Sequence, residues 1–153
     1  MRARINEEMK SAMRAGEKRK LATLRLINCA VNDRDIERRG TGGERCCDDD
    51  IRSILAKMIK QREDSARAYE EASRLELAQR EREEIEIIRE FLPRPLNAEE
   101  TERACREVVA EVEGSSLRDM GRCMNALKER YIGRMDMGLA SRQVKQLLAS
   151  PAN

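Results

Sequence analysis

Apolar residues recur at spacings of three and four along nearly the whole chain, the pattern that one face of an α-helix produces. The strongest stripe consists of Ile51, Ile54, Leu55, Met58 and Ile59. Aromatic residues make up only 2% of the sequence and charged residues 39%, which is typical of long solvated helices rather than of sheets. We therefore predict an all-α fold.

Two closely spaced prolines interrupt this periodicity. Pro93 and Pro95 cannot continue a helix, and each disfavours a helical conformation in the residue before it. Asn97 and Glu100 have the spacing of a capping box, which opens a new helix. The sequence therefore predicts an N-terminal helical hairpin or bundle domain over residues 1–93 and a small three-helix C-terminal domain over residues 96–150.

Glycines and aspartates mark the helix ends of the N-terminal domain. Gly16 is predicted to end the first helix, and the three aspartates at 48–50 are predicted to cap the third. Residues 40–47, which precede the third helix, contain three glycines, so we expect a mobile loop that contributes little to stability. This loop does not match a phosphate-binding loop, because no Lys-Ser/Thr pair follows its last glycine.

Residues 117–148 are predicted to form two amphipathic helices joined by the corner YIGRMDMG. Apolar residues of the first helix share one face, namely Leu117, Met120, Met124 and Leu127. Asp119 has the spacing to bond back to Ser116. Gly133 can supply a positive φ at the corner, and Asp136 can cap the second helix.

Gly121 lies inside the first of these two helices, where glycine costs about 1 kcal/mol relative to alanine. A close approach of another backbone or of a ligand would explain its presence. We therefore expect Gly121 to contact a neighbouring helix or a bound molecule.

The net charge is only +2, but it is spread unevenly. Residues 1–45 contain twelve Lys and Arg against seven acids, and residues 117–153 contain seven against three. Residues 46–116 contain twelve basic and nineteen acidic residues. Basic ends could bind nucleic acid. The alternative is that these charges are solvated helix faces balanced by ion pairs.

The chain has no histidine, which excludes Ser–His, Cys–His and His–metal sites. The carboxylates of EREEIEIIRE have arginines nearby as counter-charges and are interpreted as an exposed, ion-paired face, since di-metal sites in helical bundles use Glu-x-x-His. We predict no catalytic residue, no metal and no cofactor. An enzyme acting on its own is not expected.

Five cysteines, an odd number, favour reduced thiols over a disulfide framework. Cys46 and Cys47 are adjacent rather than separated by two residues and are expected to be an exposed pair, whereas Cys29, Cys105 and Cys123 are expected in the core. The N-terminus has no apolar signal region, and no apolar run approaches the roughly 20 residues that span a bilayer. We expect a cytoplasmic protein without a membrane partner.

The sequence resembles the GatB/YqeY family, and specifically its free-standing YqeY-like proteins. The resemblance rests on RDMGRCMNAL followed by GRMD, and on INEEMKSAMRAGEKRKLATLRLI, IKQREDSARAYEEASRLELAQRE and EIEIIREFLPRPLNAEE. These segments occur in order over nearly the whole chain. The positions that match the family motif are Asp119, Met120, Gly121, Met124, Gly133, Arg134 and Asp136.

The resemblance implies an all-α N-terminal domain followed by a small helical domain. It also implies a role in binding tRNA, because a similar domain forms the tail of the B subunit of glutamine-dependent aspartyl/glutamyl-tRNA amidotransferase, where it helps to hold tRNA. The catalytic parts of that enzyme, a carbon–nitrogen ligase, have no counterpart in this sequence. The implied partners are tRNA or an amidotransferase-type complex, with no DNA specificity expected.

Phosphate contacts are expected from the cations of the C-terminal helices and their corner. These residues are Arg118, Arg122, Lys128, Arg134, Arg142 and Lys145. Arg134, in the corner, is expected to project from the surface as the best-placed anion contact. The alternative is a helical adaptor that docks a protein helix or peptide on an adaptable methionine surface. That surface would consist of Met120, Met124, Met135 and Met137.

Overall fold

The computed structural model of the protein describes residues 1–149, and all regular structure within them is helical. The all-α prediction is confirmed. The helices are α1 (Arg2–Ala15), α2 (Lys18–Gly40), α3 (Asp48–Glu71), α4 (Leu75–Arg89), α5 (Ala98–Glu111), α6 (Met120–Arg130) and α7 (Met137–Ala149). A single 3-10 turn, Leu117–Asp119, precedes α6.

The chain divides into two compact units, and the division falls between Pro93 and Arg94. The first unit contains α1 to α4, and the second contains α5 to α7. The predicted end of the C-terminal domain, residue 150, lies outside the described residues.

The first unit is built from a helical hairpin, α1–α2, packed with a second one, α3–α4. Gly16 turns the first hairpin with φ 70°, and the Glu17 N–H donates to the Ala12 carbonyl over 3.0 Å. The core comprises aliphatic side chains from all four helices, among them Ile5, Leu24, Ile27, Leu55 and Ile88.

Two helix ends place a residue other than glycine in the left-handed region. Ser73, between α3 and α4, has φ 57°, and Glu113, after α5, has φ 52°. The Arg74 N–H donates to the Tyr69 carbonyl over 2.7 Å, which closes the α3 end. Both turns therefore keep a conformation that a β-carbon disfavours.

Residues 41–47 are attached at their C-terminal end to a buried carboxylate. Asp35 of α2 is 3% exposed, accepts the N–H of Cys46 over 2.8 Å and pairs with Arg2 over 2.9 Å. Cys46 itself is buried in the core of the first unit. The segment is therefore held at Cys46, because a buried carboxylate must keep its donors. That the segment contributes little to stability stays a prediction.

The cysteines differ in two places from their predicted environments. Cys46 is buried instead of exposed, and Cys29 is exposed on α2 instead of lying in the core. The expected burial of Cys105 and Cys123 is confirmed, and both are 0% exposed. Burial raises the pKa of the Cys105 thiol to about 11, so this thiol stays protonated and unreactive at neutral pH.

The second unit is a three-helix arrangement with its own core. The capping box that opens α5 is confirmed: the Glu100 N–H donates to Asn97 Oδ1 over 2.8 Å, and the Asn97 N–H donates to Glu100 Oε2 over 2.9 Å. Gly114 lies beneath the end of α7, where a β-carbon would come within 2.9 Å of Leu148 Cδ2. A side chain at position 114 would therefore force Leu148, at the end of α7, to shift.

Leu117 does not lie on the helical face predicted for it. It belongs to the 3-10 turn and is 53% exposed, while Cys123 and Leu127 are the buried residues of α6. The helix begins three residues later than the apolar spacing predicts. Asp119 ends the preceding turn, so the helical period does not extend back to Leu117.

Candidate nucleic-acid interface

The turn before α6 is organised by one carboxylate. Asp119 Oδ2 accepts the backbone N–H groups of Ser115 and Ser116 over 3.0 and 3.1 Å, and its other oxygen accepts from Arg122. The Arg122 guanidinium and these two amides lower the pKa of Asp119 from 3.8 to about 2. The predicted bond back to Ser116 is confirmed, and Arg122 is held by the same carboxylate.

The corner between α6 and α7 also follows the sequence prediction. Gly133 has φ 70°, and Asp136 Oδ1 accepts the N–H groups of Gly138 and Leu139 over 2.8 and 3.1 Å. A β-carbon on Gly138 would lie 3.2 Å from that same oxygen. Gly138 therefore leaves room for the capping carboxylate.

Arg134 is half-buried in this corner and tied to the segment that precedes α5. Its carbonyl accepts the N–H of Leu96 over 2.7 Å, and its Nε donates to the carbonyl of Arg94 over 3.3 Å. The sequence predicts a projecting Arg134 side chain, whereas in the structure its Nε is hydrogen-bonded to the backbone carbonyl of Arg94. Sequence reasoning missed this segment, since nothing in FLPRPL indicates a partner far along the chain.

The candidate cations differ from the other cations of the second unit in their pairing. Arg94, Arg103, Arg106 and Arg130 each pair with a glutamate. Of the six candidates, only Arg122 has an acidic partner among residues 1–149. The five without one are Arg118, Lys128, Arg134, Arg142 and Lys145.

These cations do not converge on one point. Helix residues advance by about 100° each, so Arg122 and Lys128 lie on opposite sides of the buried Cys123–Leu127 stripe of α6. Arg142 lies on the outer face of α7, opposite Ala140 and Val144. All but the half-buried Arg134 are exposed. The arrangement is a dispersed cationic surface that could contact several phosphates rather than a pocket for one anion.

Gly121 lacks the neighbouring helix expected for it, and the methionines of the adaptor alternative contribute to the core of the second unit. Among residues 1–149, nothing approaches within 4 Å of the position that a Gly121 β-carbon would take, so the expected contact with a neighbouring helix is wrong. Contact with a ligand stays a prediction. Met135 is buried in the core of the second unit, and Met120, Met124 and Met137 pack against that core while half-buried.

Within residues 1–149, no group of three or more Cys, Asp or Glu side chains is arranged to hold a metal ion. Over the same residues, no helix is both long and apolar enough to cross a bilayer.

Over residues 1–149, fold and site together define an all-helical protein of two units, in which the smaller C-terminal unit carries a dispersed set of cations without acidic partners among those residues. The chain belongs to the YqeY-like protein family, whose model matches residues 2–148.

Two curated relatives are similar to part of this chain. One is "Altered inheritance of mitochondria protein 41, mitochondrial" of Clavispora lusitaniae, 33% identical over 88 residues, or 58% of this chain and 49% of the relative. The other has the same name, comes from Lachancea thermotolerans and is 30% identical over 90 residues, or 59% of this chain and 46% of the relative. The matches therefore span about half the length of these relatives.

Proposed function

We propose that this protein is an RNA-binding accessory module that prefers tRNA and has no catalytic site of its own. The observation that carries the proposal is the contrast in pairing within the second unit. Its other arginines are neutralised by glutamates, whereas five candidate cations have no acidic partner among the described residues. Cations without internal partners are available to phosphates.

The likeness to the amidotransferase tail supports tRNA as the preferred RNA and an amidotransferase-type complex as the assembly in which it acts. Contacts from exposed Arg and Lys side chains to phosphates carry little sequence information. Binding should therefore depend on the shape and charge of the RNA, and no DNA sequence specificity is expected. The cytoplasm is the compartment that we propose, because five free thiols suit a reducing environment. Since the relatives are named as mitochondrial, cell fractionation should compare cytoplasm and mitochondria.

The test is the salt dependence of tRNA binding, measured by fluorescence anisotropy. The logarithm of the association constant should fall linearly with the logarithm of salt concentration, with a slope of about 0.9 for each phosphate neutralised. Replacing Arg142 and Lys145 by alanine should weaken binding and reduce that slope by up to about 2. The matched control removes Arg103 and Arg106, which are exposed on α5 and paired with Glu107 and Glu102.

The control variant should lose less tRNA affinity, relative to the parent, than the variant that lacks Arg142 and Lys145. No measurable tRNA affinity of the parent at low salt would overturn the proposal, as would equal losses in the two double variants. The alternative function, a helical adaptor using a methionine surface, draws less support, because Met135 is only 9% exposed.

A further inference from the structure

Helix α2 is apolar on two opposite sides, and only one of them is buried. Its inner side contributes Leu24, Ile27 and Val31 to the core of the first unit. On its outer side, Leu26 is 51% and Ile36 63% exposed. At about 100° per residue these two sets lie on opposite faces. The outer side of α2 therefore keeps large apolar side chains that the described residues leave exposed.

The outer residues have the spacing of a coiled-coil seam. Positions 22, 26, 29, 33 and 36 alternate steps of four and three, as the core positions of two paired helices do. The residues are Ala22, Leu26, Cys29, Asp33 and Ile36, all exposed. We call this set the outer seam of α2.

A row of cations borders one flank of the outer seam. Lys18, Arg25 and Arg39 recur, with Asn32, at every seventh position, about 10.5 Å apart along the helix axis. All are exposed, and none of the three cations pairs with a carboxylate within residues 1–149. In a coiled coil such flanking charges choose the partner.

We propose that the outer seam of α2 docks an amphipathic acidic helix of a partner protein. The partner helix places apolar residues against Leu26 and Ile36, and carboxylates against the cation row. It places a basic or amide side chain opposite Asp33, which occupies a seam position and has no ion pair among the described residues. Covering Asp33 without a donor would be costly.

A second copy of this chain fits the outer seam poorly. Antiparallel pairing about a two-fold axis would oppose the cation row to itself. In a parallel pair, Lys18 of one copy would face Thr23 of the other, which is buried. Arg25 would face Ala30, which carries no charge. RNA phosphates would match the cations but leave Leu26 and Ile36 without apolar contacts. The acidic amphipathic helix is the occupant that satisfies both the apolar and the charged residues.

The proposal goes beyond RNA binding, because it uses a different unit and none of the cations of α6 and α7. A synthetic helical peptide tests it on the full chain. The peptide carries leucines at its seam positions, one lysine opposite Asp33, and glutamates along the flank that faces the cation row. The comparison peptide has lysines in place of those glutamates. Binding is followed by anisotropy of a labelled peptide.

Cys29 gives a direct readout of where the peptide lies. It is exposed within the outer seam, whereas the exposed Cys47 lies at the start of α3. At saturating acidic peptide, maleimide modification of Cys29, read by mass spectrometry, should slow by at least about tenfold, while that of Cys47 stays unchanged in the same sample. Unprotected Cys29 would overturn the proposal.

Charge reversal supplies the matched variants. Arg25→Glu with Arg39→Glu should weaken binding of the acidic peptide by at least about tenfold and create binding of the basic one. The control, Lys57→Glu with Arg67→Glu, reverses two exposed cations of α3 that pair with no carboxylate within residues 1–149, and it should keep the parent affinity. Equal binding of both peptides by the parent would overturn the proposal. So would protection of Cys29 by tRNA alone, or by a self-association that Leu26→Ser abolishes.

Discussion

The backbone N–H of Leu96 donates to the carbonyl oxygen of Arg134 over 2.7 Å. With the reciprocal bond from Arg134 Nε to the Arg94 carbonyl, it ties the segment before α5 to the corner between α6 and α7. The Leu96 bond uses only backbone atoms. Substituting the Arg134 side chain therefore leaves that connection in place.

Arg134→Ala should accordingly lower the free energy of unfolding only slightly, by about 0.5–1.5 kcal/mol for the single lost hydrogen bond. Urea denaturation of the parent and the variant measures this difference. A loss several times larger would show that the guanidinium supports the corner more strongly than its one bond to Arg94 implies. With a small loss, any change in tRNA affinity of this variant reflects the interface rather than unfolding.

Two glycines of the second unit should respond in opposite directions to alanine. Gly114→Ala should destabilise the unit by about 1–3 kcal/mol, because its β-carbon would crowd Leu148 in a packed core. Gly121→Ala should raise stability by up to about 1 kcal/mol, because α6 gains a better helix former in open space. Thermal melts of both variants check the pair. A destabilised Gly121→Ala variant would contradict the open environment of that position.

Asp119 should contribute stability that disappears in acid. Its folded pKa, about 2, lies below the ordinary value of 3.8, so its contribution is present above about pH 4 and is lost as pH falls toward 2. The Asp119→Asn variant should therefore be less stable than the parent at neutral pH, and this difference in the free energy of unfolding should shrink as the pH falls from about 4 toward 2. Denaturant midpoints of both proteins between neutral pH and pH 2 measure the gap. A gap that is constant with pH would argue against the depressed pKa.

Asp35 should contribute more to the stability of the first unit than its position near a glycine-rich loop indicates. Asp35→Ala removes the acceptor of the Cys46 N–H and leaves Arg2 without its carboxylate, so the first unit should melt at a lower temperature. Asp35→Asn keeps an acceptor for Cys46 and should lose less. In the alanine variant, Cys46 should also react faster with thiol reagents. A parent-like melt and unchanged Cys46 reactivity would contradict this role.

Local signals made most of the fold predictable. Gly16, Asp50 and the Asn97–Glu100 box each act within a few residues, so the sequence alone indicates where helices end. Of the three aspartates predicted to cap α3, only Asp50 accepts the N–H of the N-cap residue Cys47. The caps at Asp119 and Asp136 were predictable for the same reason. Each carboxylate bonds to amides no more than four residues away.

Apart from the start of α6, the main errors concern contacts between different parts of the chain. Asp35 is bonded to Arg2, 33 positions away, and it also accepts the N–H of Cys46, which lies in the core although three glycines precede it. The fixed Nε of Arg134 depends on Arg94, 40 positions away. On α2, period alone could not show which of two apolar faces would be buried, so Cys29 was assigned to the wrong one. Burial depends on the neighbouring helix as well as on the pattern.

The left-handed residues Ser73 and Glu113 have a consequence for laboratory evolution. At each position the backbone conformation is one that glycine adopts freely and that costs other residues about 1–2 kcal/mol. Glycine there also adds freedom to the unfolded chain, which cancels part of the gain. Since neither residue is buried, Ser73→Gly and Glu113→Gly should be among the first substitutions that a laboratory selection for thermostability enriches.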